Sequence, residues 1–145
     1  MDKPIWVIVA NGSMARLLER NPAKPEGWVE KECLTHPQSR LHGAEAGQEP
    51  SGHSIAGRSG LAPRSEPHDH ERRKFAQQVA HAVKGAVGGG QGGALVVFAS
   101  NPFLGELLDH LDDTTRKWVS ASHPLDLTGL GLAELIQRMH GEFGL

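Results

Sequence analysis

Three observations predict a mixed α/β fold. Ile5–Ala10 and Ala94–Ala99 are short, wholly apolar runs that read as buried strands. A long amphipathic pattern lies between them, centred on Phe75–Ala86. The segments also come in a telling order: strands first, then helices alternating with strands. A chain of 145 residues is one domain by size, spanning 1–145, and is long enough to bury a core.

Taken in order, Ile5–Ala10 is rich in β-branched residues, as expected of a central strand covered on both faces. Asn11-Gly12-Ser13 is a turn signal. Met14–Arg20 reads as a second strand, because Asn21-Pro22 and Lys24-Pro25 close it quickly. Trp28–Thr35 alternates without a cleanly apolar face, the pattern of an edge strand. Short connections make these three strands a meander. Residues 37–66 show no period and are dense in Gly, Ser, Pro, His and Gln, which predicts a long loop, mobile in part.

A helix is then expected from Ser65 or Glu66, with Pro67 in its first turn and Asp69 and Glu71 near the positive end of its dipole. Phe75, Val79, Ala82, Val83 and Ala86 recur at helical spacing and should face the sheet. The run Gly88–Gly93 ends this helix, and Ala94–Ala99 follows as a buried strand. Ser100 or Asn101 should cap a second helix, with Pro102 at its first position and Leu104, Leu107, Leu108 and Leu111 on one face. Trp118–Ser122 is a short last strand. A final helix follows Thr128 or Gly129 and carries Leu132, Leu135, Ile136 and Met139. Right-handed crossovers place 94–99 and 118–122 parallel to their neighbours. A sheet of about five strands, built as a meander and then α-β-α-β-α with helices on its faces, is the RNase H-like order.

Composition narrows the function. A formal net charge of -2 gives no global field toward nucleic acid or anionic membranes, so such binding needs a local patch. The single cysteine, Cys33, leaves no intrachain disulfide framework and fits a reducing compartment. The N-terminal apolar run is too short for a signal peptide, and no run approaches the roughly 20 apolar residues that span a bilayer. The expectation is a cytoplasmic protein with no membrane partner and no reading of DNA sequence.

The chemistry-bearing residues fall into four groups. Arg40, Arg58, Arg64, Arg72, Arg73 and Lys74 concentrate basic charge within a short span, and Gly57-Arg58-Ser59 sets a guanidinium beside free backbone donors. That combination suits phosphate. Nearby acids, Glu45, Glu49, Glu66, Asp69 and Glu71, nearly cancel the charge. Asn11, Ser13 and Arg16 follow the first buried strand, where sheets often present ligands. His68-Asp69-His70-Glu71 lacks a fixed ligand spacing, so no metal and no cofactor are expected. Neither apolar strand carries a carboxylate, which argues against two-metal nuclease chemistry.

The run Trp6-Val-Ile-Val-Ala-Asn-Gly-Ser-Met-Ala-Arg-Leu-Leu-Glu19, then His36-Pro37 with Arg40, Gly57-Arg58-Ser59, Pro63-Arg64, His70-Glu71, Phe75-Ala76 and Val97–Leu104, resembles the bacterial host attachment proteins. More distantly it resembles the central domain of archaeal and eukaryotic peptide-chain release factors. The resemblance implies an RNase H-like sheet and contact with the ribosome or tRNA. In those factors a Gly-Gly-Gln loop precedes the long helix and its Gln helps water attack peptidyl-tRNA. Here Gly89-Gly90-Gln91 follows the helix, so it reads as a helix-to-strand linker.

The sequence therefore favours a non-catalytic, RNA- or ribosome-associated binding domain. It would contact phosphate through the 40–74 loop and helix start, with Arg40, Arg58, Ser59, Arg64, Arg72 and Arg73 as contacts. Asn11, Ser13 and Arg16 form a second candidate ligand contact. Two alternatives stand: a hydrolase acting on a phosphate-containing or ester substrate, and a host-cell attachment factor.

Overall fold

The computed structural model describes residues 4–20, 27–36, 52–88 and 93–145, with residues 52–68 described by their backbone alone. Five strands form one sheet: β1 (Ile5–Ala10), β2 (Met14–Arg20), β3 (Trp28–Thr35), β4 (Ala94–Ala99) and β5 (Val119–His123). Their spatial order is β3-β2-β1-β4-β5. The meander is antiparallel, whereas β4 runs parallel to β1 and β5 parallel to β4. The expected mixed sheet is therefore present, and each strand lies within one residue of its predicted span.

Among the described residues, four helices accompany it: α1 (Gly52–Gly88), α2 (Phe103–His110), α3 (Asp113–Arg116) and α4 (Leu132–Phe143). β1 is covered on both faces. Trp6, Ile8 and Ala10 join Phe75, Val79, Val83 and Val87 of α1 and Phe103, Leu104 and Leu107 of α2 in one core. Val7 and Val9 join Phe98, Leu127 and the α4 residues Leu135 and Met139 in the other. Period two on the strands and period 3.6 on the helices produce this three-layer sandwich directly.

Two expectations are corrected. α1 begins at Gly52, not at Ser65 or Glu66, so the predicted 37–66 loop is helical over its second half. Adding residues to a helix already packed against a sheet costs far less than nucleating one. Poor helix formers such as Gly57, Gly60 and Pro63 can thus be carried by the packed turns downstream. Asp69 and Glu71 consequently sit inside the helix and not at its dipole end. The first half of the predicted loop lies outside the described residues. The second correction is α3, a single turn absent from the predicted order of elements. Asp112 Oδ1 accepts from Thr115 N at 2.9 Å and caps it.

Both outer strands contain a bulge. Leu17 pairs with Glu32 and Leu18 with Glu30, leaving Lys31 as an extra residue on β3. Leu95 pairs with Val119 and Val96 with Ala121, leaving Ser120 extra on β5. One extra residue reverses the facing of everything beyond it. Trp28 and Leu34 share a parity yet serve opposite cores, and so do Val119 and Ala121. No single parity therefore describes Trp28–Thr35. Gly93 opens β4 with φ +133, where a Cβ would overlap the Pro4 carbonyl oxygen. At least this member of the glycine run is there for a close approach between backbones.

Deleting Lys31 should force either Trp28 or Leu34 out of its core and cost at least about 2 kcal/mol. Lys31→Ala should stay within about 0.5 kcal/mol of the parent. Urea denaturation of the two variants measures the contrast; equal stabilities would mean that the bulge does not set the facing.

Candidate functional site

The β1–β2 turn, Asn11-Gly12-Ser13, lies at the C-terminal end of the central strand, and polar residues from four other parts of the chain converge on it. Asn11 fixes the turn itself. Its Oδ1 accepts from Ser13 N and Met14 N, both at 2.9 Å, while Asn11 N donates to Met14 O at 2.8 Å. Its Nδ2 reaches across to the loop after β5 and donates to Asp126 Oδ2 at 3.0 Å and Thr128 Oγ1 at 3.1 Å. Asp126 Oδ1 accepts from Thr128 N at 3.0 Å and Thr128 Oγ1 at 2.6 Å. Partial burial works to raise the Asp126 pKa, but the bonds from Thr128 and Asn11 outweigh it and hold the group below its ordinary value.

Arg16 is buried to 7% exposure on the α4 side of the sheet. Its Nη1 donates to the carbonyl oxygens of Thr128 at 3.2 Å and Leu130 at 2.6 Å. Its Nε and Nη2 donate to Glu30 Oε1 at 3.2 and 2.9 Å. The guanidinium therefore ties β2 and β3 to the loop that feeds α4. A fork of fixed donors is suited to this triple attachment, and an ammonium is not.

On the opposite side, His36 is 4% exposed and follows β3 directly. Its backbone N–H donates to Ser13 O at 3.0 Å, and its ring stacks on Phe75 with centroids 5.4 Å apart. Nε2 donates to Glu71 Oε1 at 2.7 Å. That bond is the main cause holding the Glu71 carboxyl below its ordinary value, aided by the charge of Lys74 and opposed by desolvation. One residue further along α1, Arg72 donates from Nε and Nη2 to both oxygens of Glu106 on α2, at 2.7 and 2.8 Å. Its Nη1 lies 3.0 Å from Asp69 Oδ1. The Glu106 bond, with Asp69 helping, raises the Arg72 pKa further. Gly12 rests on the Arg72 stem, where a Cβ would meet Cγ at 3.3 Å.

The sequence-predicted residues thus divide. Asn11, Ser13 and Arg16 are brought together at the strand end, with Asn11 and Arg16 engaged by the chain's own groups. Arg72 is held between Glu106 and Asp69. Arg73 remains 61% exposed, with Glu106 Oε2 only at 3.7 Å. Arg58, Ser59 and Arg64 fall on α1, where the backbone alone is described, and Arg40 lies outside the described residues. The sequence reading missed His36, Glu71 and Glu106 as partners, and also Asp126 and Thr128. Each pairing joins positions more than 30 apart and leaves no local spacing to read. Among the described residues, no group of three or more His, Cys, Asp or Glu is placed to hold a metal. No helix described is long and apolar enough to cross a membrane.

This geometry defines a three-layer α/β domain whose central turn is locked by partly buried polar contacts. A family model described as "Protein required for attachment to host cells" matches residues 6–139, and the chain belongs to that family. No curated protein matches the sequence.

Two outcomes check the network. Arg16→Ala leaves two carbonyls and Glu30 without their donor and should cost about 3 kcal/mol in urea denaturation; Arg16→Lys should recover only part of it. A carboxyl held below its ordinary 4.5 stabilises the fold when ionised. The Glu71 contribution is therefore full above that pH and is lost as pH falls through the lowered folded value. The stability gap between wild type and Glu71→Gln should shrink in melts taken from about pH 7 to about pH 3. A gap independent of pH would show that the charge is not what matters.

Proposed function

We propose that the chain is a non-catalytic binding domain that works in the cytoplasm on the ribosome or tRNA. In this reading its architecture is RNase H-like and related to the central domain of release factors. Phosphate is met through Arg58, Ser59, Arg64 and Arg73, with Arg40 on the preceding segment; Arg72, already bound to two carboxylates, adds charge without a free fork.

The observation that carries the reading is the internal engagement of the polar groups at the strand end. Asn11 and Arg16 hold the turn, and His36 is buried under Phe75 with its Nε2 bonded to Glu71. These groups shape the domain rather than present a nucleophile and base to a substrate. The strand order β3-β2-β1-β4-β5, with its parallel second half, is the order the RNase H-like reading requires. A hydrolase would draw on the His36–Glu71 pair, but that ring would first have to leave its packed position. The family description favours a third reading, a factor acting in attachment, for which fractionation of cells is the direct measurement.

Pelleting with ribosomes, and retention on immobilised tRNA, test the proposal at several salt concentrations. Retention should fall steeply with salt, and Arg58→Ala/Arg64→Ala should flatten the slope of log K against log salt by about 2. Negligible retention of the wild type, or equal retention by both proteins, counts against it.

A further inference from the structure

Between His70 and Gly85 the outward arc of α1 carries no carboxylate. The exposed residues between His70 and Gly85 are His70, Arg73, Lys74, Gln77, Gln78, His81, Lys84 and Gly85. At about 100° per residue they fill one continuous arc of about 140°. That arc holds three cations, two amides and two imidazoles, and no carboxylate. The acids of this stretch point elsewhere: Glu71 turns inward to His36, and Asp69 lies against Arg72. Among the described residues, charged side chains from neighbouring elements approach only at the margin. Glu106 of α2 is 3.7 Å from Arg73, and Asp112, before α3, is 3.4 Å from Lys84. Both cations remain largely in water, at 61% and 63% exposure, so these contacts are weak and exchangeable.

From this arc we infer that residues 70–85 of α1 form an RNA-backbone contact face, with Arg73, Lys74 and Lys84 on phosphates and Gln77 and Gln78 donating to phosphate or ribose oxygens. The inference rests on the proposed choice of RNA as partner and shares only Arg73 with the contact residues proposed there. In a chain of net charge -2, an acid-free face with three cations is a local feature that fits a polyanion. Arg73 and Lys84 lie about 16 Å apart along the helix, at 1.5 Å per residue, which spans several nucleotides of one strand.

Geometry favours RNA over duplex DNA. A helix is about 10–12 Å across and the B-form major groove about 12 Å wide, so a reading helix must stand clear of its neighbours. α1 does not: α2 and α3 lie beside it, joined through Arg72–Glu106 and Lys84–Asp112. A broad, low arc of this kind suits the wide, shallow minor groove of an A-form helix, where backbone and 2′-hydroxyl groups are exposed.

The test is fluorescence anisotropy with a 20-nucleotide RNA duplex and the matching DNA duplex, at several salt concentrations. Four proteins are compared: wild type, Lys74→Glu/Lys84→Glu, Lys74→Arg/Lys84→Arg and Arg58→Ala/Arg64→Ala. Circular dichroism checks that each is folded. With three phosphate contacts, the wild type should show a slope of log K against log salt of about -2 to -3. The Glu pair should lose at least about tenfold in RNA affinity and the Arg pair should keep it. Wild-type affinity in the Glu pair overturns the inference. If Arg58→Ala/Arg64→Ala alone loses binding, the inference falls and the proposed contacts stand; if only the Glu pair loses binding, the reverse holds. Tighter binding to the DNA duplex overturns the choice of RNA, and no RNA binding by any protein removes both readings.

Discussion

Burial of β1 on both faces is the constraint from which the rest follows. A strand enclosed by α1 and α2 on one side and α4 on the other has no room for polar side chains along its length. Polar interactions must therefore gather at its ends. The β1–β2 turn at the C-terminal end is where they gather, and it is held from both layers. Asn11 and Arg16 link it to the loop before α4, and His36, Glu71 and Arg72 link it to α1 and α2. Each of these groups would be costly to bury alone, and each has a charged or backbone partner within hydrogen-bond distance.

These contacts commit the strand end to structure. The strand end resembles the place where many α/β proteins hold ligands, yet its donors and acceptors are directed at the chain itself. The cations of the outer α1 arc, Arg73, Lys74 and Lys84, stand by contrast in water. The two surfaces answer to different physics: the first to desolvation and hydrogen-bond geometry, the second to screened electrostatics in water.

The strands were legible because apolar runs and turn residues are local signals. Ile5–Ala10 and Ala94–Ala99 announce themselves, and the prolines that follow Arg20 in the sequence signal the end of β2. Two features defeated the same reasoning. The bulges at Lys31 and Ser120 reverse the alternation midway through each outer strand, so no single parity describes either one. The upstream half of α1 contains Gly57, Gly60 and Pro63, and its helicity has no amphipathic pattern to report it. At the site, Asn11, Ser13 and Arg16 could be placed from their position after β1. Their partners could not, because Glu30, Asp126 and Thr128 meet them only through the tertiary fold. The acid-free arc was present in the sequence as a helical period, but it becomes visible only when the exposed residues are separated from the buried ones.

The extra residue in each outer strand also governs how copies of this protein can meet. A regular border of unpaired amide and carbonyl groups would recruit a neighbouring chain and propagate a ladder. Here both borders are kinked, one at a lysine and the other at a serine, so a docking strand would lose registry within a few residues. Growth of the sheet by accretion is discouraged on both flanks. A crowded solution of this domain should therefore resist templated fibre formation through either bulged border.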